Sequence, residues 1–416
     1  MEAIPTRANK IESNPITSKS YFKENPLSEN HQIVSTATQQ GELILSIVQN
    51  EMPTPSDDEV LVKIEAAPIN PSDMFPLLAF ADYSQGKLML GDQQQKMVAP
   101  ISEQFLDAIR SRLDQTLPVG NEGAGRVVTA GANAKHLEGK LVSLVSGQCY
   151  QQFVKVPATM CLVHKEDTLA EEAASSFVNP ITALCFTETL KKEGHKAMVH
   201  TAAASNLGQM LLKLCLQEKI DLICIIRSVE QAQLLRTLGA KYIINSTEKD
   251  FKEQLVEAMA ETGATLAFDA IGGGRMADTL LSSMEHALSR NASGLNTYGA
   301  EQHKQVYIYG RLARGPITLG QNYGMYWGVG GWLVMPVLKK LGPKRAAELQ
   351  ARVVNEIKTT FTSHITDELS LLEAIDPANI TRCFPKKTGE KCLIKPQKGL
   401  QQISICFVLI RCCCQE

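Results

Sequence analysis

Between Thr201 and Gly208 the chain reads Thr-Ala-Ala-Ala-Ser-Asn-Leu-Gly, and the next apolar run ends in Ile226-Arg227-Ser228. Small residues in such a turn let backbone N–H groups and a helix N-terminus approach a pyrophosphate. An Arg about 20 residues on pairs with a 2′-phosphate, whereas Asp or Glu there would accept a ribose 2′-OH. Ser205, Asn206, Leu207, Gly208 and Arg227 are therefore candidate dinucleotide ligands, and Arg227 favours the phosphorylated form, NADPH. The turn departs from both GxGxxG and AxGGxG and keeps only the last glycine, Gly208. Read without a ligand, it is an ordinary α/β unit, and Arg227 is a solvated charge at a strand end. Glu230 falls in the first turn of the following helix, where the helix dipole alone accounts for it.

Such a turn needs a strand before it and a helix and strand after it. Residues 197–200 are a short apolar strand; Leu211, Leu212, Leu214, Cys215 and Leu216 then mark a buried helix. Leu222 to Ile226 is an uninterrupted apolar run, suited to a central parallel strand covered on both faces. Helix 229–238, strand 242–244, helix 248–261, strand 265–271, a helix from Met276 and strand 306–309 continue the alternation. This predicts a doubly wound parallel sheet. Gly272, Gly273, Gly274 and Gly310 follow two of these strands, where a loop either passes close to a cofactor or simply turns tightly.

Upstream the texture differs. An opening strand is expected over 32–48 and a stronger one over 60–66. The segment AAPINPSD forces an extended, irregular loop. Ser102 as N-cap, with Phe105, Leu106, Ile109 and Leu113 on one face, predicts an amphipathic helix over 102–113. GNEGAGRVVTAG and LVSLVSG supply further strands, so the region up to Val156 reads as a compact antiparallel β module. Helix 343–358 and the stretch to Pro396 are expected to return to it.

The 416 residues are 44% apolar with a net charge of −2. That is enough for two domains, and neither nucleic acid nor an anionic membrane surface is indicated as a partner. No run of about 20 apolar residues exists, so no membrane span is expected. Eleven cysteines without a CxxC pair in the body point to reduced thiols inside the cell. A cytoplasmic location is expected. A mitochondrial one stays open, although Glu2, Glu12 and Glu24 beside few arginines make a poor transit peptide. Residues 1–30 read as a disordered tail. Residues 398–416 read as a Cys-rich, non-functional extension; Cys412, Cys413 and Cys414 follow an apolar run too short to span a bilayer.

The order of the pieces resembles the medium-chain dehydrogenase/reductase superfamily. INPSD and GNEGAG lie in a β module, followed by NPITA, the dinucleotide unit, FDAIGGG and VYIYG. The quinone oxidoreductase and enoyl-thioester reductase branches are most similar, over about 31–397. The resemblance implies an α/β protein with a GroES-like β-rich catalytic domain over 31–171, returning over 331–397. Between these would lie a Rossmann NADP-binding domain over 172–330. In zinc-dependent relatives a Cys stands where Asn70 is and a His where Asn121 is, and their four-cysteine lobe has no counterpart here. Thiolate and imidazole ligands are thus missing, and no zinc is expected. Glu122 is left for a buried hydrogen bond or salt bridge.

The resemblance also places Asn70 near the nicotinamide, Tyr83 as proton donor and Thr182 against the nicotinamide side of the cofactor. Tyr83 sits about two residues later than the family pattern. Apart from the resemblance, Asn70 serves a turn before Pro71, Tyr83 is a surface ring and Thr182 a helix residue. The segment 84–118 is longer than the family's connection and is expected to cap the substrate cleft. GMYWGVGGWLV either lines that cleft or forms an edge strand pairing the subunits of a homodimer. The implied activity is zinc-independent, NADPH-dependent reduction of a small-molecule enone, enoyl thioester or quinone. Reduction of a simple carbonyl and a catalytically inactive NADPH-binding regulator are the alternatives.

Overall fold

The computed structural model describes residues 29–91, 95–290, 297–313, 315–383 and 388–399. Most of the two tails, 1–28 and 400–416, lies outside the described residues. The first part is β-rich: β1 (Glu29–Ala37), β2 (Glu42–Glu51), β3 (Glu59–Pro68), β4 (Lys87–Leu90), β5 (Gln95–Pro100), β6 (Thr116–Pro118), β7 (Glu122–Ala130), β8 (Leu141–Val145), β9 (Phe153–Pro157) and β10 (Cys161–Val163). The single strand expected over 32–48 is instead the hairpin β1–β2, paired antiparallel from Glu29↔Glu51 to Ala37↔Leu43. Alternation continues through both arms, which hid the turn at Thr38–Gly41.

Two sheets share one core. One runs β4-β5-β2-β1-β6. The other runs β10-β8-β7-β3 and continues through β18 (Glu390–Ile394) and β17 (His364–Leu369), with β9 also on β3. Ile33, Leu43, Leu45, Val62, Ile64, Ile69 and Val154 fill the space between them. The segment 84–118 is built into this domain: β4 pairs with β5, and β5 with β2. Its expected helix is a short α-turn, Glu103–Leu106, followed by a 3₁₀ stretch, Asp107–Arg112, and Ser102 makes no side-chain cap. So short a helix has little stability of its own; the apolar face was nevertheless correctly read, because Ile109 is buried and Phe105 stacks on Phe80 at 5.1 Å.

The second part is a six-stranded, all-parallel sheet of β11 (Ala197–His200), β12 (Asp221–Ile226), β13 (Tyr242–Asn245), β14 (Leu266–Asp269), β15 (Lys304–Ile308) and β16 (Trp327–Gly331), in the order β13-β12-β11-β14-β15-β16. The chain reverses its direction of travel across the sheet between β11 and β14. In open α/β sheets, ligands bind at such a switch point, outside the carboxyl ends of the strands. β15 does not close the series as expected, because β16 adds a parallel edge strand.

The helix Val334–Glu356, broken at Gly342, does not lead straight back to the β domain. Its Leu349 and Val353, with Ile357 and Phe361, pack into the parallel sheet's core beside Phe186, Leu211 and Phe268. The return is made by β17 and β18. Among the described residues no helix is long and apolar enough to cross a membrane.

Candidate active site

The turn expected from the sequence to receive a pyrophosphate follows β11. Ser205 is the N-cap of the helix Asn206–Glu218, its Oγ accepting from the Gly208 N–H at 3.1 Å. The Asn206 and Leu207 N–H groups at the helix N-terminus have no acceptor among the described hydrogen bonds, the ordinary condition of a helix start, which an anion can satisfy. A Cβ on Gly208 would lie 2.3 Å from the Ala203 carbonyl oxygen, so only glycine lets the helix cross here. The retained glycine thus has a packing reason. Leu207 points into the core, while Asn206 Nδ2 donates to Ser363 Oγ at 3.0 Å.

Arg227 stands exposed at the end of β12, its backbone N–H donating to Gln231 Oε1 at 2.8 Å. Its guanidinium has no ion pair among the described residues. Beside it a cleft is lined by Ser228, Val229, Arg236 and Asn245. Arg236 is a second cation there that the sequence pattern did not single out. Gln231 Nε2 donates to Thr388 Oγ1 at 2.8 Å, which ties the β domain's last loop to this edge of the sheet.

At the ends of β14 and β15 the loops are held by Asp269, which is buried. Its carboxylate accepts from Thr201 Oγ1 at 2.8 Å and from the N–H groups of Ile271 and Gly272 at 2.9 and 3.2 Å. Gly272 has φ +62°, and a Cβ on it would meet the Gly310 oxygen at 2.2 Å. The two expected glycines therefore lie against each other above the switch point. Next to them His200 Nε2 and the Tyr309 hydroxyl are 2.7 Å apart, packed against Phe186, which Trp332 meets edge-on. Burial brings the His200 imidazole down to about 3 and raises the Tyr309 phenol above its ordinary value. Neither was named from the sequence, where one His ending an apolar strand looks like core.

Asn70, at the end of the loop after β3, is fully buried at the junction of the two domains. Its Nδ2 donates to Glu122 Oε1 at 2.9 Å, while the other oxygen, Oε2, accepts from the N–H groups of Phe177 and Val178 at 2.8 and 2.9 Å. Glu122 thus caps the helix Val178–Glu193 from the other domain, a carboxylate set at the positive end of the helix. The hydrogen bond expected of it is made. Because the carboxylate only accepts, the Asn70 amide must present its NH₂ there, and Asn70 Oδ1 is left buried with no partner among the described residues.

Asp73, also buried, accepts from Asn70 N and Asn121 N at 2.8 Å each. Burial lifts its carboxyl to about 6 against these bonds. Lys391 on β18, wholly buried, donates to Ser175 Oγ at 3.0 Å; burial lowers it, and Glu122 and Asp73 oppose that shift. A lysine next to the apolar run Cys392-Leu393-Ile394 was the available signal for it. The Asn121 side chain turns away to Ser72 Oγ at 2.9 Å. Two amides engaged in this way supply neither thiolate nor imidazole, so the donor set does not suit a catalytic zinc.

Thr182 is buried in the first turns of the helix Val178–Glu193, its hydroxyl donating back to Val178 O. Tyr83 lies on a 3₁₀ turn, Tyr83–Gln85, packed against the β-domain core near β5 and the helix Pro377–Cys383. Trp332 is core, with Nε1 donating to Thr189 Oγ1 at 3.3 Å, while Met325 and Tyr326 are exposed beside the edge strand β16. Part of GMYWGVGGWLV forms an edge strand, β16.

A family model described as zinc-binding dehydrogenase matches residues 207–315, a span that includes neither Asn70 nor Asn121. Prostaglandin reductase-3 of Mus musculus is 26% identical over 53% of this chain and 52% of its own length. The mitochondrial enoyl-[acyl-carrier-protein] reductase of Arabidopsis thaliana is 25% identical over 63% of this chain and 60% of its own. The chain thus spans about half the length of the curated relatives it matches. Among solved structures, a putative NADPH:quinone reductase from Mesorhizobium loti superposes with a TM-score of 0.66 at 24% identity, covering 89% of this chain and 99% of that one. That likeness shows a shared fold.

Proposed function

Because the chain belongs to the medium-chain dehydrogenase/reductase superfamily, in its quinone oxidoreductase and enoyl reductase-like branch, we propose that it is an NADPH-dependent reductase of activated C=C bonds or quinones that works without zinc. The observation that carries this reading is Asn70. Its amide is fixed by Glu122 at the domain junction, where zinc-dependent relatives carry a metal ligand, and it keeps one buried oxygen unsatisfied. An orphaned acceptor of this kind costs about 1–3 kcal/mol unless a bound molecule satisfies it.

The residues present fit a dinucleotide. The open N–H groups of Asn206 and Leu207, with Ser205 and Gly208 shaping the turn, would receive the pyrophosphate, and Arg227 the 2′-phosphate. Gly272 and Gly310 are positions without side chains in the loops after β14 and β15, where the cofactor would pass, and Thr182 would line the nicotinamide end. The bound cofactor supplies hydride from the nicotinamide C4. Asn70 positions the acceptor or the nicotinamide carboxamide, and Tyr83 is the proposed proton donor. The open edge of β16, with Met325, Tyr326 and Trp327 exposed, supports a homodimer joined along that strand.

The test is NADPH oxidation with a panel of enones, enoyl thioesters, quinones and simple carbonyls. Turnover of one of the first three classes, unaffected by chelator, is expected. Turnover of simple carbonyls alone would favour the alcohol dehydrogenase-type reading. Tight NADPH binding with no turnover of any would leave a cofactor-binding regulator.

A further inference from the structure

The strands that return to the β domain bring two thiols and a carboxylate together. Asp367 lies on β17, Cys392 on β18, and Cys383 ends the helix Pro377–Cys383. One ligand atom from each lies within 4.8 Å of the others, and both cysteines are buried. β17 and β18 run parallel, and the register slips between Ile365↔Lys391 and Asp367↔Cys392. Without that bulge Thr366 would face Cys392; with it, Asp367 does. Bulges of this kind re-aim a side chain. The alternation of β18 meanwhile sends Lys391 to the opposite face, toward Ser175.

The spacing suits coordination. Cys392 Sγ and Asp367 Oδ2 are 3.7 Å apart. A tetrahedral ion with a metal–sulfur distance of about 2.3 Å and a metal–oxygen distance of about 2.1 Å holds sulfur and oxygen about 3.6 Å apart. Asp367 divides its oxygens: Oδ1 is bound by the Arg382 guanidinium, and Oδ2 is the one facing the thiol. An outer partner that fixes a ligating carboxylate is a recurrent part of metal sites. The charges also close. Two thiolates and a carboxylate carry three negative charges, which a divalent cation and Arg382 neutralise.

We propose that Asp367, Cys383 and Cys392 form a binding site for one thiophilic divalent cation of the zinc class, with its fourth position open to water. Its ligands are none of the residues at the position where zinc-dependent relatives bind their catalytic metal, although the Cys392 carbonyl accepts from the N–H of Ile69, next to Asn70, at 3.0 Å. The site would staple β17, β18 and the helix Pro377–Cys383 to one another.

The experiment uses the full chain, reduced and stripped with chelator. Cys412, Cys413 and Cys414 are changed to Ser so that they do not compete for the probe. Cadmium is titrated while the ultraviolet thiolate-to-cadmium charge-transfer band is read, and each variant's fold is checked by circular dichroism. One cadmium per chain is expected, displaceable by zinc, with zinc raising the Tm. Cys383→Ser and Cys392→Ser should each remove tight binding. Asp367→Asn, at a partly exposed residue that leaves the core intact, should weaken it at least about tenfold. An unchanged band and stoichiometry in the Cys383→Ser/Cys392→Ser variant would overturn the site. So would the absence of cadmium uptake by the reduced chain, or an unchanged affinity in Asp367→Asn.

Discussion

Among the described residues Glu122 is the sole acceptor for three donors, so Glu122→Gln tests the construction of the domain junction directly. The substitution keeps shape and replaces one acceptor oxygen with a donor. If the new NH₂ faces the helix, the Phe177 and Val178 N–H groups both lose their acceptor, at about 1–3 kcal/mol each. If it faces Asn70, a single donor–donor contact arises, and the Asn70 amide relieves it by turning over. Oδ1, unpartnered in the unmutated chain, then accepts from the new amide. The second arrangement costs less, and it leaves Asn70 presenting a donor where an acceptor stood. Loss of the carboxylate charge also deprives buried Lys391 of one opposing charge. Stability should fall by about 1–3 kcal/mol, the range for one charge-assisted bond, as read by urea unfolding. The turnover number should fall at least about tenfold, equivalent to about 1.4 kcal/mol. The NADPH Kd should stay within about threefold, or about 0.65 kcal/mol, because the phosphates are held elsewhere. Adding Asn70→Asp gives the new amide an acceptor without any turnover of the side chain. The two changes should therefore be non-additive by about 1 kcal/mol or more in a double-mutant cycle. Additivity within about 0.5 kcal/mol, or an unchanged turnover number in the single variant, would refute the reasoning.

Three further outcomes follow from the same geometry. Arg227→Ala should narrow the preference for NADPH over NADH by about 1–3 kcal/mol in fluorescence titrations; equal affinities in the unmutated chain would remove Arg227 from the site. Burial holds His200 down from 6.5 to about 3, so the folded chain favours its neutral form. Its contribution is complete above the ordinary value and is lost as the pH falls toward the folded one, about 2 kcal/mol by pH 5. His200→Gln should flatten that part of the unfolding free energy between pH 7 and 5, and an unchanged slope would contradict it. Tyr83→Phe should lower the turnover number about 10²–10⁴-fold with NADPH affinity unchanged if Tyr83 delivers the proton, while a value within about threefold would assign the proton to another donor.

What the sequence by itself determined was whatever depends on local pattern. The apolar run Leu222–Ile226, the small residues around Gly208 and the alternation from Ala197 onward identified a parallel sheet and a tight strand-to-helix turn, because burial on both faces and close helix crossing leave direct marks on composition. Asn70 and Glu122 were visible as residues but not as a pair. The bond between them joins positions 52 apart, and the helix that Glu122 caps belongs to the other domain. His200 with Tyr309, and Lys391 with Ser175, went unseen for the same reason. A buried His or Lys in a strand looks like any other residue until the fold supplies its partner. The helix Val334–Glu356 showed the opposite failure: its weak amphipathic pattern shows that it packs, but not against which sheet. The bulge that turns Asp367 toward Cys392 depends on the pairing of two strands, and only the tertiary structure fixes that register.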